Sequence, residues 1–333
     1  MKDQKIRYAV LELALISEGI SARETFANSV RLAQHAEALG YHRIWFAEHH
    51  NMKAVGSNAP TILIGHIAQQ TKTIRVGSGG VMLPNHAPLI VAEQFGTLGN
   101  LYPNRIDLGL GRAPGTDRET AAAINPNFLR AANSFPEDLA QIQQFFSPSN
   151  ANAKVRAAIA EGVDVPIYIL GSSTDSAHLA AKKGLPYAFA SHFATTHLDE
   201  ALAIYRNEFV PSKALASPYV IPGINAIIAN TDAEAERLYT SSLRMIIGMM
   251  TGKREYISAP TPMTQDLREI MQHPSIQQMI KYAFVGSKET VKAKINAFIA
   301  QTNADELMVS CTMYNAEDRL TSLRLFAEIM HEI

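Results

Sequence analysis

The residues able to do chemistry fall in short strings placed after apolar runs. One is Gly109-Leu-Gly-Arg112-Ala-Pro-Gly115, in which an arginine closes an alternating run and precedes a turn. A guanidinium there can clamp a phosphate or carboxylate with two parallel N–H donors, or it can be a solvated, salt-bridged arginine. The spacing G-x-G-x-x-x-G, with Pro114 where a helix would have to start, excludes a Rossmann-type dinucleotide fingerprint. Another string is Gly171-Ser-Ser-Thr-Asp-Ser176, between a strand-like run and a helical pattern. Hydroxyls and free N–H groups at a helix N-terminus make an anion site, although Ser173, Thr174 or Asp175 could equally be an ordinary cap. Lying on neighbouring strand ends, the two strings could hold one phosphate together. The last is Glu48-His49-His50. Consecutive strand residues point to opposite faces, so these histidines do not readily share an ion, and no metal is expected. His49 has the parity of Trp45 and Ala47, and Glu48 that of Ile44 and Phe46. One histidine can therefore face a pocket as acid, base or hydrogen-bond donor, or be a hydrogen-bonded structural residue.

The elements that must position these groups are organised around Ile74–Arg112, a strand, a helix and a second strand. Ile74, Val76, Val81 and Leu83 form an apolar run broken by Gly77, Gly79 and Gly80, which suggests a close approach to the backbone. Leu89–Leu101 reads as a helix, and Ile106, Leu108 and Leu110 alternate with small or charged residues. A unit of this length implies parallel pairing, and ligands bind at the carboxyl ends of parallel strands. The rhythm repeats along the chain. Strands are expected at 8–15, 43–48, 166–170, 186–191, 219–229 and 306–313, with helices between, among them one capped by Ser21, one capped by Asp232 and one capped by Ser287. Residues 113–165 and 251–283 read as irregular insertions, the first holding a helix over 136–146. Counting eight strand–helix units, the fold class is α/β: a (β/α)8 TIM-type barrel with insertions after strand 4 and after strand 7. A doubly wound open sheet is the alternative; the count favours the barrel.

Bulk properties narrow the function. The 333 residues are 47% hydrophobic, enough for a large core, and no linker divides 1–333, which reads as one domain. A formal charge of −1 leaves no electrostatic footprint for nucleic acid or anionic membrane. The single cysteine, Cys311, excludes an internal disulfide and fits the reducing cytoplasm. The apolar run near the N-terminus is short and contains Glu12, so it reads as a strand and not a signal peptide.

The strings Ala47-Glu-His-His50, Val76-Gly-Ser-Gly-Gly-Val-Met-Leu-Pro84, Ala92-Glu-Gln94, Arg105-Ile-Asp-Leu-Gly-Leu-Gly-Arg112, Gly171-Ser-Ser173 and Ala180-Ala-Lys-Lys-Gly-Leu-Pro186 together resemble the luciferase-like flavin monooxygenases. The likeness runs in order from first strand to last helix. It implies a flavin-binding TIM-type barrel in which Arg112, Ser173 and Ser176 match the FMN phosphate positions. Ser172 stands where the luciferase catalytic subunit is acidic. His49 matches the histidine implicated in catalysis, and Gly79–Gly80 a non-proline cis peptide beside the isoalloxazine ring. Gly111 replaces the reactive cysteine of luciferase, which puts light emission in doubt but not flavin use. The resemblance implies reduced FMN delivered by a separate NAD(P)H flavin reductase, O2 as co-substrate, a small organic substrate and a homodimer through the helices at 58–71 and 89–101. A deazaflavin-dependent hydride transferase of the same fold, or a non-catalytic flavin-binding partner subunit, are the rival readings. Pocket walls are expected from residues 16–20, 51–57, 192–195 and 251–283.

Overall fold

Alternation along the strands decides the architecture. The computed structural model describes residues 5–333. Its strands, in chain order, are β1 (Arg7–Glu12), β2 (Arg43–Phe46), β3 (Arg75–Ser78), β4 (Val81–Met82), β5 (Ile106–Gly111), β6 (Ile167–Gly171), β7 (Tyr187–Phe189), β8 (Val220–Ile228), β9 (Ala283–Gly286) and β10 (Glu306–Ser310). All pair in parallel. The ladder runs β1–β2–β3–β5–β6–β7–β8–β10, and β10 pairs back onto β1, closing an eight-stranded barrel. β4 and β9 are short additions alongside β5 and β8.

The helices are α1 (Ala22–Ala38), α2 (Pro60–Gln70), α3 (Pro88–Leu101), α4 (Arg118–Ile124), α5 (Phe128–Asn133), α6 (Phe135–Phe146), α7 (Thr174–Lys183), α8 (Leu198–Asn207), α9 (Asp232–Thr251), α10 (Gln265–Met271), α11 (Pro274–Met279), α12 (Lys288–Thr302) and α13 (Ala316–Glu332). Val10, Ile44, Val76, Leu108, Ile169 and Ile224 lie in the main core with helix residues such as Ile64 and Leu32. The opposite parity fills the lumen: Ala9, Leu11, Trp45, Tyr168, Ile221 and Met308 form a separate inner cluster. Burial on both faces is why these strands carry so little polarity.

Beyond Arg75 at the start of β3, the inward positions of β3 and β5 are glycine or aspartate. A Cβ on Gly77 would lie 2.9 Å from the Trp45 indole nitrogen, and one on Gly79 2.8 Å from Leu11 and 2.9 Å from Trp45. A Cβ on Gly80 would lie 2.9 Å from the Gly109 carbonyl. Gly77 is thus approached most closely by the Asp107 carbonyl on β5, at 2.5 Å from such a Cβ, and then by Trp45, whereas Gly79 is approached by the lumen side chains of Leu11 and Trp45.

At the amino-terminal end of the lumen sits an arginine that is 2% exposed. Arg43 Nη1 donates to Asp107 Oδ2 and to the Tyr168 hydroxyl, each at 2.7 Å, and its Nε donates to Glu306 Oε1 at 2.9 Å. Trp45 Nε1 donates to Asp107 Oδ2 at 3.0 Å, Arg75 Nε to Asp107 Oδ1 at 2.9 Å, and the Tyr219 hydroxyl to Glu306 Oε2 at 2.8 Å. Both carboxylates are fully buried, and the network spans β2, β3, β5, β6, β10 and the residue just before β8. Hydrogen bonding at this density is what makes burying three or more charges tolerable.

The insertions are more ordered than their sequences suggest. Residues 113–165 contain α4 and α5 as well as α6, and 251–283 contain α10 and α11 and lead into β9. Short helices of six or seven residues carry too little periodicity to read from sequence. Ser21 and Ser287 cap as expected, accepting from the amides of Glu24 and Thr290. The cap of α9 is Thr231, not Asp232, whose carboxylate accepts instead from the Ser287 amide at 2.6 Å and so ties α9 to the start of α12. A threonine and an aspartate side by side are both good caps, and the sequence does not rank them.

If the Arg43 network holds the barrel closed, Arg43→Met should destabilise it by about 3–5 kcal/mol, the usual penalty for stranding buried partner charges. Equilibrium urea unfolding checks this; a loss under about 0.5 kcal/mol would place the network among the dispensable contacts.

Candidate active site

Parallel closure brings every strand's carboxyl end to one mouth, and the singled-out residues follow those ends. His49 lies just past β2, Gly79 and Gly80 past β3, Arg112 directly after β5, and Ser172 and Ser173 between β6 and α7. The peptide bond between Gly79 and Gly80 is cis.

Pairing of Gly111 with Leu170 sets Arg112 beside the β6–α7 turn. Both terminal nitrogens of Arg112 donate to Asp175 Oδ2 at 3.1 Å, on the first turn of α7. Ser173 occupies the N-cap position in extended geometry, yet its side chain makes no cap hydrogen bond. The opening amides of α7 therefore keep their donors for something else. Ser172 is exposed and Ser173 half-buried at this corner. Ser176 is engaged elsewhere: its hydroxyl donates to the Ser173 carbonyl at 2.7 Å and pairs with the Tyr187 hydroxyl at 2.9 Å. Arg112, Ser172 and Ser173 thus share one corner with the amino end of α7, while the Ser176 hydroxyl is spent on fixing that end in place.

His49 is held from several sides. Its amide donates to the Ser57 carbonyl at 3.2 Å, its carbonyl accepts from Asn58 Nδ2 at 2.7 Å, and its Nδ1 lies 3.1 Å from the Gly115 carbonyl. A carbonyl only accepts, so in the neutral ring Nδ1 carries the proton and Nε2 is left as an acceptor. Nε2 makes no hydrogen bond within the described residues. Burial lowers the His49 pKa, against the opposing pull of the Gly115 carbonyl and the charge of Glu48. Gly115 has φ +66, and a Cβ there would run into the Glu48 carbonyl, so the turn that presents its carbonyl needs glycine.

Glu48, of opposite parity, is fully buried and collects donors from the surrounding loop. Oε1 receives His50 Nε2 and Asn85 Nδ2, each at 2.9 Å; Oε2 receives the Met82 amide at 2.9 Å, and His86 Nε2 reaches both oxygens. Burial alone would raise this carboxyl's pKa, but the hydrogen bonds from His50, His86 and Asn85 outweigh it and hold it at about 2. His50 thus serves Glu48 and not the pocket. The role of Glu48 with Met82, Asn85 and His86 escapes sequence reading because these donors lie more than thirty positions away and carry no periodic signal.

The loops close over this mouth. An antiparallel bridge joins Leu15 to Val55, a parallel one joins Ser17 to Ile257, and Arg254 Nη1 contacts Asp117 Oδ2 at 3.1 Å. A cavity of about 130 Å³ lies between Met52 and Ala54 on one side and Met245, Met249 and Tyr256 on the other. Two of the expected pocket walls, 51–57 and 251–283, therefore meet. Among the described residues, no cluster of three His, Cys, Asp or Glu side chains is placed to hold a metal ion, and no helix is long and apolar enough to cross a membrane.

Residues 6–306 match the family model for luciferase-like monooxygenases. The chain belongs to that family. It is 43% identical to a luciferase-like monooxygenase of Escherichia coli (strain K12), over 100% of this chain and 99% of the relative. It is 31% identical to an N-acetyl-S-alkylcysteine monooxygenase of Bacillus subtilis (strain 168), over 97% and 98% of the two chains. The crystal structure of apo-MsnO8 superposes with a TM-score of 0.89 at 33% identity, covering 98% of both chains. This luciferase-like monooxygenase is accordingly an oxidoreductase, built on the barrel its strand count implied.

The Glu48 hub makes a pH-dependent contribution with a definite sign. Its carboxyl is depressed from an ordinary 4.5 to about 2 in the fold, so the stabilisation is complete above pH 4.5 and lost as pH falls toward 2. Glu48→Gln should cost on the order of 3 kcal/mol near neutrality, and the gap from wild type should shrink across that acid window. Urea unfolding of both proteins at a series of pH values checks it; a gap independent of pH would mean the charge of Glu48 is not what the donors recognise.

Proposed function

We propose that the protein is an FMN-dependent monooxygenase of the two-component kind. In this reading reduced FMN comes from a separate NAD(P)H flavin reductase, and O2 and a small organic molecule are the other substrates. The observation that carries it is the corner formed by Arg112 and the uncapped amino end of α7, on the same barrel mouth as His49 with its free Nε2. A phosphate fits that corner: it needs a guanidinium and amide donors not already spent, and both are present. Arg112, Ser172, Ser173 and the α7 amides would hold the phosphate, with Ser176 orienting the turn, and Gly79 and Gly80 would flank the ring. Bound there, reduced FMN would supply the electron pair that lets one atom of O2 enter the substrate while the other leaves as water. The chain's own contribution is to bind, to shelter and to move a proton. Arg112 must exchange Asp175 for the phosphate, an exchange open to it because that ion pair is solvent-exposed. The segment at 253–257, tethered through Ile257 to Ser17 and through Arg254 to Asp117, would shelter the mouth. His49 Nε2 would take or return a proton at the reacting centre, with Nδ1 anchored on Gly115 so that the ring cannot turn.

A paired experiment tests this. Arg112→Ala should weaken FMN about ten- to a hundredfold, since a charged hydrogen bond is worth ~1.5–3 kcal/mol, and leave riboflavin, which has no phosphate, nearly unmoved. His49→Ala should keep FMN affinity within a few-fold yet cut product formation by ~10²–10⁴ and release hydrogen peroxide in its place. Fluorescence titration with FMN, riboflavin and a deazaflavin, followed by oxygen-uptake coupling, reads both. Equal losses of FMN and riboflavin in Arg112→Ala, or tighter binding of the deazaflavin, would sink the assignment.

The same reading takes 1–333 as one luciferase-like domain in the cytoplasm that pairs with a second copy through α2 and α3. Ile62, Ile90 and Leu101 on their outer faces are 72%, 46% and 63% exposed, an apolar surface that pairing would cover. Light scattering at micromolar concentration should give a dimer, and Ile62→Asp with Leu101→Asp a monomer; a monomeric wild type removes the idea.

A further inference from the structure

His192, just past the end of β7, has no part in the reading above. It is set against β8. Asn225 Nδ2 donates to the His192 carbonyl at 2.5 Å, and Ser191 Oγ, one residue earlier, donates to the Gly223 carbonyl at 2.6 Å. Residues 223 and 225 share the parity of Ile221, which belongs to the inner cluster, so they face the lumen. The imidazole fills the room Gly223 leaves. A Cβ at 223 would run into Nδ1 and come within 3.4 Å of Cε1. Phe193 packs edge-on against the ring at 4.9 Å.

The two ring nitrogens are consequently unequal. Nδ1 is sealed from solvent and has no hydrogen-bond partner, whereas Nε2 is neither sealed nor bonded within the protein. A proton on Nδ1 would be a buried N–H without an acceptor, among the costlier defects a fold can carry. A charged ring requires that proton too, so both the Nδ1–H tautomer and the imidazolium are disfavoured for the same steric reason. Burial, and then the nearby His49, push the pKa down to about 4. His49 is the complement: its Nδ1–H is spent on Gly115 and its Nε2 accepts.

We propose that His192 is a permanently neutral donor whose Nε2–H binds an oxygen acceptor on the ring of the bound flavin, opposite in hydrogen-bonding sense to His49. Set against the lumen-facing Gly223 of β8, it lies on the wall where it can meet a ligand that enters the mouth. On the flavin reading, on which the ligand half of the inference rests, that is the isoalloxazine ring, which is edged by carbonyl oxygens.

The tautomer is tested on the protein alone, with ¹⁵N-histidine labelling and the His192 signals identified by their loss in His192→Gln. The Nε2–H pattern should persist unchanged from pH 8 to 5; an Nδ1–H pattern, or titration in that range, overturns the inference. The ligand is tested by titrating wild type, His192→Leu and His192→Gln with riboflavin and with FMN. His192→Leu should weaken both flavins alike, about three- to tenfold, and His192→Gln, which restores an N–H at the same reach, should recover most of it. That pattern differs from Arg112→Ala, which separates the two flavins. Unchanged riboflavin affinity in His192→Leu overturns the ligand half. A wild type that binds no flavin at all refutes the FMN reading with it, and the nuclear magnetic resonance measurement still decides the tautomer.

Discussion

A charge buried at the foot of the barrel constrains the rest of the structure. Arg43 cannot be hydrated where it lies, so it must be met by Asp107, Glu306 and Tyr168, which come from β5, β10 and β6. These partners are in place only if the ring of strands is closed and in register. Trp45 stacks over the same guanidinium, its ring centre 5.4 Å from Cζ, and lends its N–H to Asp107. Seating that indole in the lumen requires Gly77 and Gly79 on the neighbouring strand. The buried cation thus accounts for the polarity of a lumen floor that would otherwise be aliphatic.

The mouth is organised by the opposite device, a buried anion. Glu48 gathers the amide of Met82 and the side chains of His50, Asn85 and His86. The segment following the Gly79–Gly80 bond is held by this carboxylate, and the neighbouring residue His49 is anchored through its backbone and Nδ1. Adjacent residues of one strand end thereby divide the work: the residue of outward parity builds the frame and the residue of inward parity faces the pocket. Arg112, also at the mouth, pairs with an exposed and displaceable Asp175, unlike the buried partners of Arg43. The histidines near it are set by the groups on their Nδ1 atoms, an acceptor for His49 and a closed wall for His192. At the foot the charges meet buried partners, whereas at the mouth the Arg112 ion pair is exposed and the first turn of α7 has no side-chain cap.

Much of this was legible in the amino-acid order. Period-two runs, helical stretches between them and the caps at Ser21 and Ser287 define the strands and the eight-fold alternation, because local backbone preferences and burial act over a few residues. The histidines of Glu48-His49-His50 do part company, His49 on the Gly115 carbonyl and His50 on Glu48, although β2 ends at Phe46 and these residues continue past it. The positions of Arg112 and the serines at adjacent strand ends follow once the strands are parallel and in sequence. Tertiary structure decided the remainder. That Gly77 serves Trp45, that Ser173 leaves α7 uncapped while Ser176 turns to Tyr187, that Glu48 is the hub for the loop at 82–86, and that Gly223 seats His192 all depend on contacts between residues distant in the chain. Such contacts exist only after the barrel closes, and no local pattern in the sequence encodes which of them will form.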